Sequence, residues 1–271
     1  MFAKKLLFLM VIGSQISCSV ATPQEPALPD KQKFYLYVLM GQSNMAGDAR
    51  SQGIPAVDRR VLALDKQLRW RVARDPLHPS RTHMGGVGPG IAFGTAMAAA
   101  DPTVIVGLIP CAVRGSPLKR WQKGGDLYEA TVNRTKAAMT QGTLAGFLWH
   151  QGESNARARN SALGYARKLA QIVKELRRDL QCPDIPFIAG KLGGFLDSRK
   201  FPFARFLNQE LDRMPQITSR VAIVSSSGLT PEEDRVHFNA ESARELGRWY
   251  ATAMLRIQAH GLLEYRLSDR K

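Results

Sequence analysis

The sequence predicts an α/β fold: a mainly parallel five-stranded sheet covered by helices on both faces. Two observations predict it. Five runs are continuously apolar rather than alternating, which is what strands need when both faces of their sheet are buried. The segments between them are long enough for helices, and one carries clear helical spacing, the strand–helix pattern of α/β domains. The 271 residues suit one large domain. With 44% hydrophobic and 23% charged residues, the composition supports a sizeable core and excludes disordered and fibrous classes.

Before the first strand, Lys4 and Lys5 precede the apolar run 6–12, and small residues follow. A basic end, a short apolar stretch and a small-residue region make residues 1–21 a secretory signal, cleaved after Ala21. The alternative is a bacterial lipoprotein signal ending at Cys18, with a lipid tether there. The run is too short to span a bilayer unaided, and no later segment is long and apolar enough to do so. Residues 22–32 hold three prolines and read as a linker.

The domain is assigned to residues 33–260, with a tail at 261–271. "FYLYVLM" (34–40) is the first strand and "IAFGTAMAAA" (91–100) the first helix. "TVIVGLIP" (103–110) is a buried strand, "DLYEATVNRTKAAMT" (126–140) a helix, and "LAGFLWH" (144–150) the third strand. Between 161 and 180, Tyr165, Leu169, Ile172, Val173, Leu176 and Leu180 keep helical spacing. "IPFIAG" (185–190) is a strand, 203–214 a helix and "RVAIVSS" (220–226) the fifth strand. The last helix runs from Ala240 to Ile257 with Asn239 as its N-cap.

The net charge of +15 draws the protein towards anionic surfaces. The arginines are scattered along helices without a nucleic-acid motif, so the charge reads as a solvated surface and no nucleic-acid partner is expected. Beyond the leader only Cys111 and Cys182 remain, too few for a disulfide framework, and no Cys/His spacing suggests zinc.

Ligands of such sheets bind at the carboxyl ends of the strands. Four motifs fall there. In "VLMGQSNMAG" the first strand stops on a glycine and is followed by Ser43 between two amides. A serine needs a base to act as a nucleophile, and the base needs a group that fixes its tautomer. His237, three residues after Asp234 in "EEDRVHF", has that neighbour, although a helix-capping acid beside a surface histidine would look the same. In "PCAVRGSPLKRW" Gly115 allows a backbone N–H to approach a ligand, or is a plain turn glycine. "LWHQGESN" crowds polar groups at a strand end. There Gln151 is either an oxyanion donor, with Glu153 as a buried anchor, or part of a tight turn at Gly152. His78 and His83 read as solvated loop residues, His150 as buried and hydrogen-bonded. "GGVGPG" (85–90) is at most a pocket wall.

Together, "GQSNMAG", "GLIPCAVRGS…W", "WHQGES" and "DRVHF" occur in the order of a known family. Over residues 34–257 the chain resembles the SGNH hydrolases, closest to sialate O-acetylesterase-like proteins and family six acetylxylan esterases. The resemblance implies a three-layer, flavodoxin-like α/β/α sandwich. It implies Ser43 as nucleophile, His237 as general base and Asp234 as its orienting group. It also implies an oxyanion hole of the Ser43 and Gly115 N–H groups with the Gln151 side chain, and Glu153 in support. One departure is Arg114, where the branch often has a second glycine; it puts a large cation beside the pocket.

The expected function is a secreted or periplasmic serine esterase that hydrolyses O-acetyl esters on carbohydrates, on acetylated xylan-type polysaccharide or sialic acid, without metal or organic cofactor. The alternatives are a lipase or thioesterase on the same fold, and a non-catalytic carbohydrate-binding envelope protein.

Overall fold

The computed structural model describes residues 26–50, 58–78 and 86–268, with side chains of the last helix described up to residue 259. The leader with Cys18, and His83, lie outside the described residues.

Seven strands form one sheet: β1 (Phe34–Gly41), β2 (Val61–Leu64), β3 (Trp70–Val72), β4 (Ile105–Pro110), β5 (Thr143–His150), β6 (Phe187–Gly190) and β7 (Val221–Val224). Their order is β3-β2-β4-β1-β5-β6-β7, parallel throughout except for β3, which runs antiparallel to β2. All five expected strands are present. The sequence reading missed β2 and β3, because their short runs stand among charged residues (Arg59, Arg60, Asp65, Lys66, Arg69 and Arg71) rather than inside a longer apolar segment. Their turn is built by Asp65, whose carboxylate accepts the N–H groups of Gln67 and Arg69, each at 2.9 Å. Trp70 then packs edge-on against Phe34, ring centroids 4.7 Å apart, and so covers that edge of the core.

The helices are α1 (Ser43–Ala46), α2 (Gly90–Ala100), α3 (Asp126–Met139), α4 (Arg159–Ala162), α5 (Tyr165–Asp179), α6 (Ala204–Asp212), α7 (Met214–Ile217) and α8 (Ala240–Ser268). The last continues beyond the end expected from its apolar face. Asn239 caps it, its Oδ1 accepting the Ser242 N–H at 2.9 Å.

Strand β1 explains the layers. Phe34, Leu36, Val38 and Met40 face one core with α3, α5, α6 and α7, whereas Tyr37 and Leu39 face the other with α2 and α8. Successive side chains of a strand point to opposite faces. An apolar residue at every position of β1 therefore anchors both layers and fixes it at the centre. After β1 the chain works outward through β2 and β3, returns through β4, and crosses to β5 on the other side. The crevice at the carboxyl end of β1 is thus the place where strand order reverses, where ligands of open α/β sheets bind.

Cys111 and Cys182 are free thiols, and no described helix is long and apolar enough to cross a membrane.

Candidate active site

The turn that carries Ser43 follows from a glycine. Gly41 ends β1 at φ +127°, a conformation that L side chains rarely adopt, and any Cβ there would overlap the carbonyl oxygen of His150. Gln42 N–H donates to that same oxygen at 2.8 Å. Strands β1 and β5 therefore stay in contact to their last residues, and the chain turns at once into α1. Ser43 is the first residue of that helix, where backbone N–H groups have no intrahelical acceptor. The segment read as a pocket wall clamps the far end of the turn: Gly86 N–H donates to Gly47 at 3.2 Å and Val87 N–H to Ala49 at 2.9 Å.

The loop before α8 brings His237 to Ser43, 194 residues away in sequence. Its Nε2 lies 2.9 Å from Ser43 Oγ and its Nδ1 2.5 Å from Asp234 Oδ2. The other carboxylate oxygen of Asp234 accepts the N–H groups of Val236 (2.8 Å) and His237 (3.0 Å). Partial burial pushes the Asp234 carboxyl up. The N–H groups of His237 and Val236, with the imidazole, outweigh it and hold the group below the ordinary carboxylate value.

Asn44 is a site residue that sequence reasoning did not single out. Its Nδ2 donates to Glu153 Oε1 at 2.5 Å and to the Val236 carbonyl at 3.2 Å, and its Oδ1 accepts the Phe238 N–H at 3.0 Å. It ties the serine turn, the end of β5 and the histidine loop together. The signal was in the sequence, an amide beside a strand-end serine, but its partners are 109 and more residues away.

Gln151 and Gly115 sit on the neighbouring strand ends. Gly115 has φ +64°, nothing within 4 Å of where a Cβ would stand, and an N–H with no acceptor among the described residues. Gln151 is fully buried. Its Nε2 faces Asn155 Oδ1 (2.8 Å), the Ser116 carbonyl (3.0 Å) and Gln42 Oε1 (3.2 Å), while its Oε1 accepts the Tyr165 hydroxyl at 2.6 Å. Three acceptors share two amide protons, so the side chain braces the turn beside Gly115. The expected donation to an oxyanion requires one of these contacts to yield when substrate binds. Glu153 is buried, as expected of an anchor, and Asn44 is the partner it holds.

Arg114 is tied down beside Ser43's turn. Its Nε pairs with Asp48 and its Nη2 donates to the Gly47 carbonyl at 2.8 Å. The other carboxylate oxygen of Asp48 lies 3.4 Å from His237 Nε2.

His150 and His78 are inward-facing. His150 is buried with Nδ1 3.0 Å from the Tyr250 hydroxyl, and burial lowers its proton affinity. His78, expected in solvent, is fully buried beneath the turn that carries Ser43, and burial drives its pKa down to about 3, so it stays neutral. It stands between Leu77 and Pro79 in a proline-rich stretch that reads as a loop, and only the fold over β1 reveals the burial. Among the described residues no His, Cys, Asp and Glu side chains gather as a metal site.

The family model of carbohydrate esterases described as sialic acid-specific acetylesterase matches residues 33–256. The chain belongs to that family. This esterase is 32% identical over 255 residues to a probable carbohydrate esterase of Arabidopsis thaliana, covering 86% of its own length and 93% of the relative. A crystal structure of an Arabidopsis thaliana protein superposes with TM-score 0.74 at 29% identity, over 84% of the esterase and 99% of that chain. NanS shares the fold, with TM-score 0.69 at 18% identity over 86% and 100% of the two chains. So does a carbohydrate acetylesterase of Xanthomonas citri, with TM-score 0.61 at 19% identity over 83% and 56%. The family assignment makes the esterase a hydrolase of O-acetyl esters on carbohydrates.

Proposed function

We propose that the esterase removes acetyl groups from carbohydrate hydroxyls through a Ser43–His237–Asp234 triad. The observation that carries the reading is the unbroken chain from Ser43 Oγ through both imidazole nitrogens to Asp234. Ser43 Oγ attacks the acetyl carbonyl carbon while His237 Nε2 takes the hydroxyl proton, and the carbonyl π pair moves onto oxygen. Asp234 fixes the tautomer with Nε2 unprotonated and stabilises the imidazolium that forms. The N–H groups of Ser43 and Gly115 face the developing oxyanion, and Gln151 supports the Gly115 turn from behind. Collapse breaks the bond to the sugar oxygen, which takes the proton from Nε2. A water, deprotonated by the same nitrogen, then releases acetate from Ser43.

The substrate side follows from the site's position. A crevice at strand ends suits an acetylated oligosaccharide or polysaccharide, xylan-type or sialic acid-containing, and the leader sends the enzyme out of the cytoplasm to meet it. The test compares wild type with Ser43→Ala and His237→Ala on an activated acetyl ester, then on acetylated xylan and acetylated sialic acid. Both variants should lose at least 10³-fold in kcat/KM. Retention of activity by both would refute the triad, and a preference for long acyl esters over acetyl would refute the substrate class.

A further inference from the structure

Two carboxylates face the same imidazole. Asp234 binds Nδ1, and Asp48 stands 3.4 Å from Nε2, the nitrogen that also meets Ser43 Oγ at 2.9 Å. Only Ser43 supports base chemistry. If Asp48 held Nε2–H, it would keep the imidazole protonated and leave Ser43 without a base. Asp48 is not free to do so, because its other oxygen is paired with Arg114 Nε, and Arg114 is itself anchored on the Gly47 carbonyl at 2.8 Å.

We propose that Arg114 and Asp48 are a positioning pair for His237, in which the guanidinium draws the second carboxylate's charge away from Nε2 so that Ser43 keeps the base. A glycine at position 114 could not supply this restraint. The assignment rests on the proposed triad and deepens it. During acylation Nε2 gains the Ser43 proton, and Asp48 is then a second acceptor beside the imidazolium. During collapse the same proton must leave for the sugar oxygen, which requires that Asp48 not hold it too strongly. The Arg114 cation sets that balance, since one charge a few ångströms from another shifts a protonation equilibrium appreciably even with solvent nearby.

The other groups around the imidazole do not reproduce the effect. Asp234 acts at Nδ1 from the same loop, and buried Glu153 reaches the loop only through Asn44. On the outer side Glu232 and Glu233 are engaged by Arg50, at its backbone N–H and guanidinium respectively. Arg235 lies beside them in the loop.

The test is the pH profile of kcat/KM on an activated acetyl ester for Arg114→Met, Asp48→Asn and the double variant. Arg114→Met leaves Asp48 uncompensated. The imidazolium is then favoured, and the acid limb should move up by about one pH unit, a roughly tenfold loss below the limb that is recovered on the alkaline plateau. Asp48→Asn should move the limb down, and the double variant should return it close to wild type. A pH-independent loss in Arg114→Met with an unmoved limb in Asp48→Asn would overturn the assignment. If Arg114→Met does not fold, the direction of the Asp48→Asn shift decides alone. Ser43→Ala in the same assay separates the two readings. An active Ser43→Ala refutes the triad itself, whereas an inactive one with superimposable Arg114 and Asp48 profiles refutes only the pair.

Discussion

Asn44 accepts the backbone N–H of Phe238 at 3.0 Å, so the residue after the serine is bonded to the residue after the histidine. The serine turn and the histidine loop come from opposite ends of the chain, and nothing in either segment alone would hold them in register. The buried Glu153 completes the bridge by fixing the Asn44 amide from the end of β5. The register of Ser43 and His237 here depends on the Asn44 amide.

Asn44→Ala should therefore lower kcat more than it raises KM. It removes the donor from buried Glu153 and the acceptor from Phe238 N–H, each costing about 1–3 kcal/mol if left unpaired. The expected result is a 10–100-fold loss in kcat with a lower Tm, measured by steady-state kinetics and thermal unfolding. Wild-type kcat in a folded Asn44→Ala would show that the loop holds its register without the bridge.

Gln151→Ala separates a brace from an oxyanion donor. As a brace, the amide satisfies the Ser116 carbonyl, Asn155 and the Tyr165 hydroxyl, so its removal should cost roughly 2–4 kcal/mol of stability along with activity. A direct oxyanion donor would instead give a 10²–10³ loss of kcat at unchanged Tm. Paired unfolding and turnover measurements distinguish the two.

Gly41→Ala tests the turn that presents Ser43. The new methyl would meet the His150 carbonyl oxygen, backbone rather than a yielding side chain, at a φ that alanine disfavours. A loss of roughly 3 kcal/mol or more is expected. The variant should be insoluble or show a sharply lowered Tm, and a well-folded, fully active Gly41→Ala would contradict the account.

What the sequence disclosed and what it withheld divide along a physical line. The central strands were legible because burial on both faces demands unbroken apolar runs, as in residues 34–40. Strands β2 and β3 were not, since Val61–Leu64 and Trp70–Val72 are short runs set among charged residues, and their pairing depends on Asp65 building a turn. In the site, His237 and Asp234 lie three residues apart, so their proximity is local and readable. The contacts of Asn44, Gln151 and Arg114 all join distant segments. Their residue types were visible and their directions were not: the contact of Gln151 to the Ser116 carbonyl, on another strand end, has no local signature. His78 is the same case with the opposite sign, a histidine in a proline-rich stretch whose burial is a property of the fold over it.

Asp75 gives a pH dependence that lies outside the proposed chemistry. Burial pushes its carboxyl up to about 6, against the Arg244 guanidinium and the Gly88 N–H, which pull it down. The folded protein therefore holds a proton at Asp75 more tightly than the unfolded chain does. That contribution to stability is complete below the ordinary carboxylate value near ~4 and is lost as pH rises through about 6. Above this window the ionised, mostly buried carboxylate costs up to roughly 2–3 kcal/mol, about two pH units at ~1.4 kcal/mol each. Asp75→Asn keeps an acceptor for Gly88 N–H and removes the charge. Its Tm should exceed that of wild type by several degrees at about pH 8, and the difference should vanish at about pH 4. Thermal unfolding of both proteins across that range is the measurement. A gain that did not depend on pH, or a loss at alkaline pH, would mean that the Arg244 charge offsets the burial of Asp75.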